Sequence, residues 1–306
     1  MTGSSRITAP ARYSFGGDEF LFVEVSEAMS LAANFRVTRI AGKISELVAD
    51  GELPGIIELC PANASLLIRY NPDTVSPTDL ERRIREVEAD VSATEAVPVR
   101  TRVIEIPVWY DDPVTAEVAS RFREGYHQEP GGRDLDFAAR VNNLRGADEF
   151  IRRHHSSPWL VTMVGFVAGL PFMYQLVDRT HQLEVPKYLS PRTDTAELTV
   201  GHGGCFGVIY SVPGAGGYQM FGLAAAPIYS PELQGTDREE EMILFRPGDI
   251  VKFRPVGEAE FHDIRRRVDE GTWRYRQVPV TFDMNRALDE GESYNRELLE
   301  VLDADH

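Results

Sequence analysis

Residues 159–177 carry no charged side chain over about the length a membrane helix needs, yet Gly165, Gly169 and Pro171 fall inside the run. In a helix interior each Gly costs about 1 kcal/mol and the Pro about 3 relative to Ala. The run therefore predicts a buried strand, a Gly-Pro turn and a second apolar segment, with the turn enclosed in a core. Irregular backbone enclosed in that way must find partners for its N–H and C=O groups. This makes 165–172, with Gly165, Phe166, Gly169 and Phe172, the first candidate wall of a binding site.

A chain of 306 residues with 42% hydrophobic content can bury a sizeable core, and its length favours two domains. Asp and Glu number 48 against 32 Lys and Arg, a net charge of −16. That balance argues against nucleic acid and against anionic membrane surfaces, both of which need clustered basic residues. Much of the excess acid lies in 237–241 and 288–306, read as a solvated loop and a helical terminus. The only two cysteines, Cys60 and Cys205, supply neither a disulfide framework nor a CxxC metal site. Reducing surroundings follow, and with no apolar leader core in the first twenty residues a cytoplasmic location is expected.

Three segments organise the chain: an α+β domain over 1–100, a β-barrel domain over 101–257 and a helical and strand extension with an acidic tail over 258–306. In the first, 20–25 reads as a strand, followed by a helix from Ser26, as N-cap, to Leu47. Residues 56–59 and 65–70 read as a hairpin. Ser76, Pro77 and Asp79 start a second helix whose apolar stripe is Leu80, Ile84, Val87 and Val91. A fourth strand at 101–108 would complete β-α-β-β-α-β, a ferredoxin-like plan. After a turn-rich transition with Asp111, Asp112, Pro113, Gly131 and Gly132, helices are expected at 135–144 and 149–155. Short apolar runs broken by Gly and Pro from 159 to 253 predict a closed β-barrel. A helix at 258–271 and a strand at 275–282 come after it.

Candidate chemistry is sparse. The glycines of 201–207 lack the Gly-Lys-Ser/Thr of a phosphate loop, and Phe206 stands where a dinucleotide fingerprint needs Gly, which favours a Gly-rich barrel turn. His202 and Cys205 can in principle form a thiolate–imidazole pair, but no third group orients the imidazole, and an inert, buried Cys is the favoured reading. No HxH or HExxH spacing occurs, so no metal centre is expected. Pro186 and Pro191 stiffen a loop that aims Lys187 and Arg192, either at a carboxylate or carbamate or merely into solvent. Around Gly216, Gly217, Tyr218 and Gln219, backbone N–H groups can stabilise an oxyanion while Gln219 orients an amide, although a plain hairpin has the same composition.

Several stretches taken together resemble one family. They are Phe15 to Asp18, Ser65 to Pro72, Ile104 to Val108, Asp134-Leu135, and above all Gly165 to Phe172, followed by Pro186, Pro191 to Thr193, Ile209-Tyr210 and Gly216 to Gln219. The family is that of allophanate hydrolase subunit 1, known also as the B-type subunit of 5-oxoprolinase or as sporulation-kinase inhibitor, and it includes the carboxyltransferase domain of urea carboxylase. The resemblance implies a cyclophilin-like barrel after the α+β domain and adds Tyr210 to the substrate-binding residues. It also implies a partner of the allophanate hydrolase subunit 2 type.

Two enzymatic roles are implied, both within a complex. One is transfer of CO2 from carboxybiotin to an amide-type nitrogen, alongside a biotin carboxylase and a biotin carrier protein. The other is ATP-dependent opening of a lactam. A non-enzymatic role, inhibition of a histidine kinase, also belongs to the family. Ala168, Leu170 and Tyr218 stand where the family typically has Pro, Phe and Trp, and 195–200 depart from its Val-Pro-Ala-Gly-Ser-Val segment, which points to a different small amide or lactam substrate. The helix and strand within 245–282 are similar to the longer urea-carboxylase type, and this favours the carboxyltransferase role.

Overall fold

A computed structural model describes residues 9–303; residues 1–8, where the leader reading begins, and 304–306, the end of the acidic tail, lie outside the described residues. The chain divides into two compact units, 1–99 with 281–290 and 100–280 with 291–306.

The first unit contains β1 (Arg12–Gly16), β2 (Phe20–Glu24), α1 (Leu31–Ala49), β3 (Ile56–Ala62), β4 (Ser65–Tyr70) and α2 (Pro77–Ala93). Its sheet is antiparallel in the order β1-β2-β4-β3. Alternation along β2 and β4 sends Leu21, Val23, Leu66 and Ile68 into one core with Ile40 and Ile44 of α1 and Leu80 and Ile84 of α2. The Ser76 hydroxyl accepts the Asp79 N–H at 3.2 Å and Pro77 opens α2, as its sequence requires. Helix α1 begins later than expected. Ser30 is its N-cap, accepting from the Ala33 N–H at 3.1 Å, whereas Ser26 accepts from Ala28 in a local turn that precedes the apolar stripe.

Residues 101–108 do not join this sheet. The edge beside β2 is taken by β1, which is joined to β2 by Gly17, Asp18 and Glu19 only, so local hairpin pairing prevails over a strand some eighty residues away.

The second unit runs through β5 (Val99–Tyr110), α3 (Pro113–Arg121), α4 (Asp134–Val141), α5 (Ala147–Ser156), β6 (Trp159–Val164), β7 (Pro171–Gln175), β8 (Thr199–Gly203), β9 (Phe206–Ile209), β10 (Gln219–Ala224), β11 (Ile250–Pro255), α6 (Glu258–Asp269) and β12 (Gln277–Phe282). Seven strands close a barrel in the order β10-β8-β9-β7-β6-β11-β5, with β5 paired back to β10 through Tyr110 and Gly222, and β12 is added outside β5. The β5–β11 pairing is parallel. Helix α7 (Met284–Asp289) belongs to the first unit and α8 (Glu292–Glu300) to the second.

The charge-free run is a strand, a turn and a strand. β6 and β7 pair antiparallel from Trp159 and Gln175 to Val164 and Pro171. The turn is not enclosed as expected: Phe166 is 70% exposed at φ 73°, and only Gly169 and Leu170 are buried. Two local bonds close it, Gly165 donating to Leu170 at 3.0 Å and Leu170 to Val167 at 3.3 Å, and its exposed part faces water, so no enclosure is required. Helix α3 occupies part of the stretch read as a turn-rich transition. Asp112 caps it by accepting from the Val114 and Thr115 N–H groups at 2.9 Å, with Pro113 in the first turn.

Alternate strand residues Ile104, Ile106, Trp159, Val161, Met173, Ile209, Phe221 and Phe253 share the main core of this unit with Phe150 of α5. No helix among the described residues is long and apolar enough to cross a membrane.

Candidate functional site

In β7 and β9 the residues that alternate with Met173 and Ile209 are Phe172, Tyr174, Phe206 and Val208, and they lie on the outer face of the barrel. Phe172 meets Phe206 and Tyr218 edge-on, with ring centres 6.0 and 6.3 Å apart. Val167 of the 165–170 turn, Leu170, Val208 and Tyr210 complete that apolar patch, and the Ser211 hydroxyl ties the turn down by donating to the Ala168 carbonyl at 2.5 Å. Gly203 lets Tyr218 lie flat on β8, since a Cβ there would stand 2.5 Å from the ring.

The proline-framed loop runs beside this patch. Arg192 and Gly216 exchange N–H···O bonds at 2.8 and 3.0 Å, and the Tyr188 N–H donates to the Gly217 carbonyl at 2.7 Å. The Lys187 Nζ lies 5.0 Å from the centre of the Tyr218 ring, and the Arg192 guanidinium lies 4.4 Å from that of Tyr188. Arg192 is 0% exposed; its Nη2 reaches Thr195 Oγ1 at 3.4 Å, while Nε and Nη1 have no hydrogen-bond partner among the described residues. Neither cation forms an ion pair among the described residues, whereas Arg123, Arg133, Arg140 and Arg179 of the same unit each have a carboxylate.

Beneath the loop lies a buried polar network. The Tyr188 hydroxyl stands 2.8 and 2.9 Å from the two Asp134 carboxylate oxygens, one of which accepts the Met220 N–H at 2.8 Å while the other pairs with Arg123. His127 packs edge-on against Tyr188 and bonds Gln219 Oε1 through Nε2 at 2.9 Å, and Gln219 donates to the Pro186 carbonyl at 2.9 Å. A cavity of about 370 Å³ backs onto Arg123, Asp134 and Met220, with Ala119, Ser120 and Gly132 on its other walls. Burial raises the hydroxyls of Tyr188, Tyr210 and Tyr218 further above their ordinary range, so all three stay protonated at neutral pH.

Lys187, Arg192, Tyr210, Gly216, Gly217, Tyr218 and Phe172 are thus brought to one place, with the turn carrying Gly165, Phe166 and Gly169 alongside. Gln219 is there too, but both ends of its amide are held internally, and the Gly216 N–H is taken by Arg192. His202 points elsewhere. Its ring lies among Trp159, His154 and Phe221 in the barrel interior, with Nε2 3.1 Å from the Leu183 and Gly204 carbonyls. Burial lowers His202 to about 4 and raises the Cys205 thiol, the opposite of an activated thiolate–imidazole pair. Cys205 itself follows Gly204 in the turn of the β8–β9 hairpin. Asp134 and Tyr188 carried a weak signal, one in the Asp-Leu pair and the other inside the proline frame. Arg123 and His127 carried none.

Residues 11–237 match the family model described as carboxyltransferase domain, subdomain C and D. Urea amidolyase of Lachancea kluyveri is 27% identical over 288 residues, 93% of this chain but 15% of that protein. The B-type subunit of 5-oxoprolinase from Bacillus subtilis is 27% identical over 260 residues, 80% of this chain and 93% of that protein. The crystal structure of Kluyveromyces lactis urea amidolyase superposes with a TM-score of 0.81 at 24% identity, covering 99% of this chain and 18% of that one. The chain therefore spans a small part of the urea amidolyases and nearly the whole of the oxoprolinase subunit. With more than two thirds of its length inside the family model and these relatives on both sides, the chain belongs to the carboxyltransferase subdomain C and D family.

Proposed function

We propose that this chain is the C and D half of a biotin-dependent carboxyltransferase of the urea carboxylase type, moving CO2 to an amide-type nitrogen. The observation that carries this reading is the pair of uncompensated cations on one loop, Lys187 and Arg192, beside the Phe172–Tyr218 aromatic wall of a protein with net charge −16. A buried guanidinium without an anion is costly, and a carboxylate ligand relieves that cost.

Carboxylated biotin on a carrier protein would supply the CO2 group. Its carboxylate fits the exposed Lys187 as the loop stands, and contact with the buried Arg192 requires the loop to open. The Tyr218 ring offers a flat apolar face to the ring system and helps to orient it. Phe166 and Leu189, each 70% exposed on the two loops flanking this patch, suit a contact with an allophanate hydrolase subunit 2-type partner.

The near-complete coverage of the Bacillus subtilis protein favours one second reading, a 5-oxoprolinase component in ATP-dependent lactam hydrolysis. Purification with the native partners separates the two. The first role predicts a biotinylated component and turnover abolished by avidin. Lactam-dependent ATP hydrolysis indifferent to avidin would replace it with the second, and no turnover in any assembly would contradict both.

A further inference from the structure

Asp178 precedes a single 3-10 turn, Arg179–His181, and Glu292 opens α8. His181 Nδ1 stands 3.1 Å from Glu292 Oε1, and one ligand atom from each of Asp178, His181 and Glu292 lies within 4.8 Å of the other two. A surface ion pair accounts for His181 and Glu292 alone. It does not account for Asp178, whose carboxylate neither caps the turn it precedes nor forms an ion pair among the described residues, and instead adds a second negative charge to the group. Gly291, at φ 52°, takes the left-handed conformation that favours glycine, and it lies next to Asp178, since a Cβ there would stand 3.3 Å from Asp178 Oδ1.

Two carboxylates converging on one imidazole nitrogen are a donor set for a borderline divalent ion. Zinc binds His nitrogen and carboxylate oxygen at about 2.0–2.2 Å, which places tetrahedral neighbours about 3.3–3.6 Å apart, whereas calcium and magnesium favour all-oxygen sets. The His181–Glu292 spacing of 3.1 Å reaches that edge with a small side-chain rotation, since both side chains are exposed. Beside the group opens a cavity of about 500 Å³ lined also by Arg153, Ser156, Ser157 and Asn295, so coordination positions not filled by the protein face water or a small anion. The Asn295 amide donates to the Leu176 carbonyl and already fixes α8 against the segment that carries Asp178 and His181.

The geometry points to a divalent transition-metal site formed by Asp178, His181 and Glu292, which takes zinc and clamps α8 to residues 176–182. Glu292 lies more than a hundred positions from the other two ligands in sequence, which is why no spacing motif announces the site.

The test uses the full chain, stripped with chelator and titrated with zinc by calorimetry and with cobalt by its visible absorption. The expected result is one ion per chain and a rise in unfolding temperature on adding zinc. Asp178→Asn and His181→Ala should each weaken binding at least about tenfold and abolish that rise. Because both side chains are exposed, the variants should keep the wild-type circular dichroism. His262→Ala, on α6 and paired with Glu258, should leave binding unchanged. Absence of saturable 1:1 binding, or binding that survives both ligand substitutions, would overturn the assignment.

Discussion

The Tyr188 hydroxyl sits 2.8 and 2.9 Å from the two carboxylate oxygens of Asp134, so a residue of the proline-framed loop is fixed to the first turn of α4. Because the Tyr188 ring also carries the Arg192 guanidinium on its face, the position of that cation depends on Asp134.

Asp134 should therefore be more important for folding than any of the exposed acids. Asp134→Asn leaves the Arg123 guanidinium buried without its charge partner, and the expected loss is about 3–5 kcal/mol. Tyr188→Phe keeps that pair and removes one hydroxyl, with an expected loss of about 1–2 kcal/mol. Denaturant titration of both variants measures the difference, and equal losses would mean that the ion pair is not the main element.

Gly203 and Tyr218 should be coupled. Gly203→Ala forces the Tyr218 ring off β8, at an expected cost of about 1–3 kcal/mol. In the double variant with Tyr218→Leu much of that cost should disappear, because the obstructed ring is gone. A double-mutant cycle in stability reads the coupling, and strict additivity would contradict the packing.

The two serines ahead of α1 should behave differently. Ser30→Ala removes the hydroxyl that accepts the Ala33 N–H and should cost about 0.5–2 kcal/mol, whereas Ser26→Ala, which affects a local turn, should stay within about 0.5. Thermal unfolding of the pair decides it.

Acid should weaken the barrel before its carboxylates titrate. Burial lowers His202 to about 4 and His154 well below its ordinary value, so both are neutral in the native state, while the unfolded chain protonates them near 6.5. Stability from these groups is fully present above pH 6.5 and is lost as pH falls toward 4, roughly 3 kcal/mol for His202 alone. His202→Gln should flatten the slope between pH 6.5 and 4.5 by up to about 1.4 kcal/mol per pH unit. An unchanged slope would show that His202 is protonated in the native protein.

Elements whose signals are local were legible in the sequence. Ser76, Pro77 and the Leu80–Ile84–Val87–Val91 stripe define α2, and two glycines and a proline break the charge-free run into β6 and β7. Long-range pairing was not legible. Nothing local to 101–108 decides between a four-stranded sheet and a barrel, and the choice is made by β11, whose Ile250 to Pro255 pair with Val103 to Val108 from more than a hundred residues later. Helix α3 was hidden because Asp-Pro reads equally as a turn and as a capped helix start. At the candidate site the loop residues stood out through Pro, Gly and charge. Arg123 and His127 did not, because a buried ion pair and a buried imidazole acquire their meaning only from Asp134 and Gln219.

The central claim is that the cations of the proline-framed loop hold the transferred carboxylate. Its most direct measurement is carboxyl transfer from the biotinylated carrier in the assembled complex, comparing wild type with Lys187→Ala and Arg192→Ala. Loss of a charge-assisted contact worth about 2–3 kcal/mol predicts a fall in kcat/KM of roughly 30- to 150-fold in each variant, with assembly intact. Transfer at the wild-type rate in both variants would contradict the account.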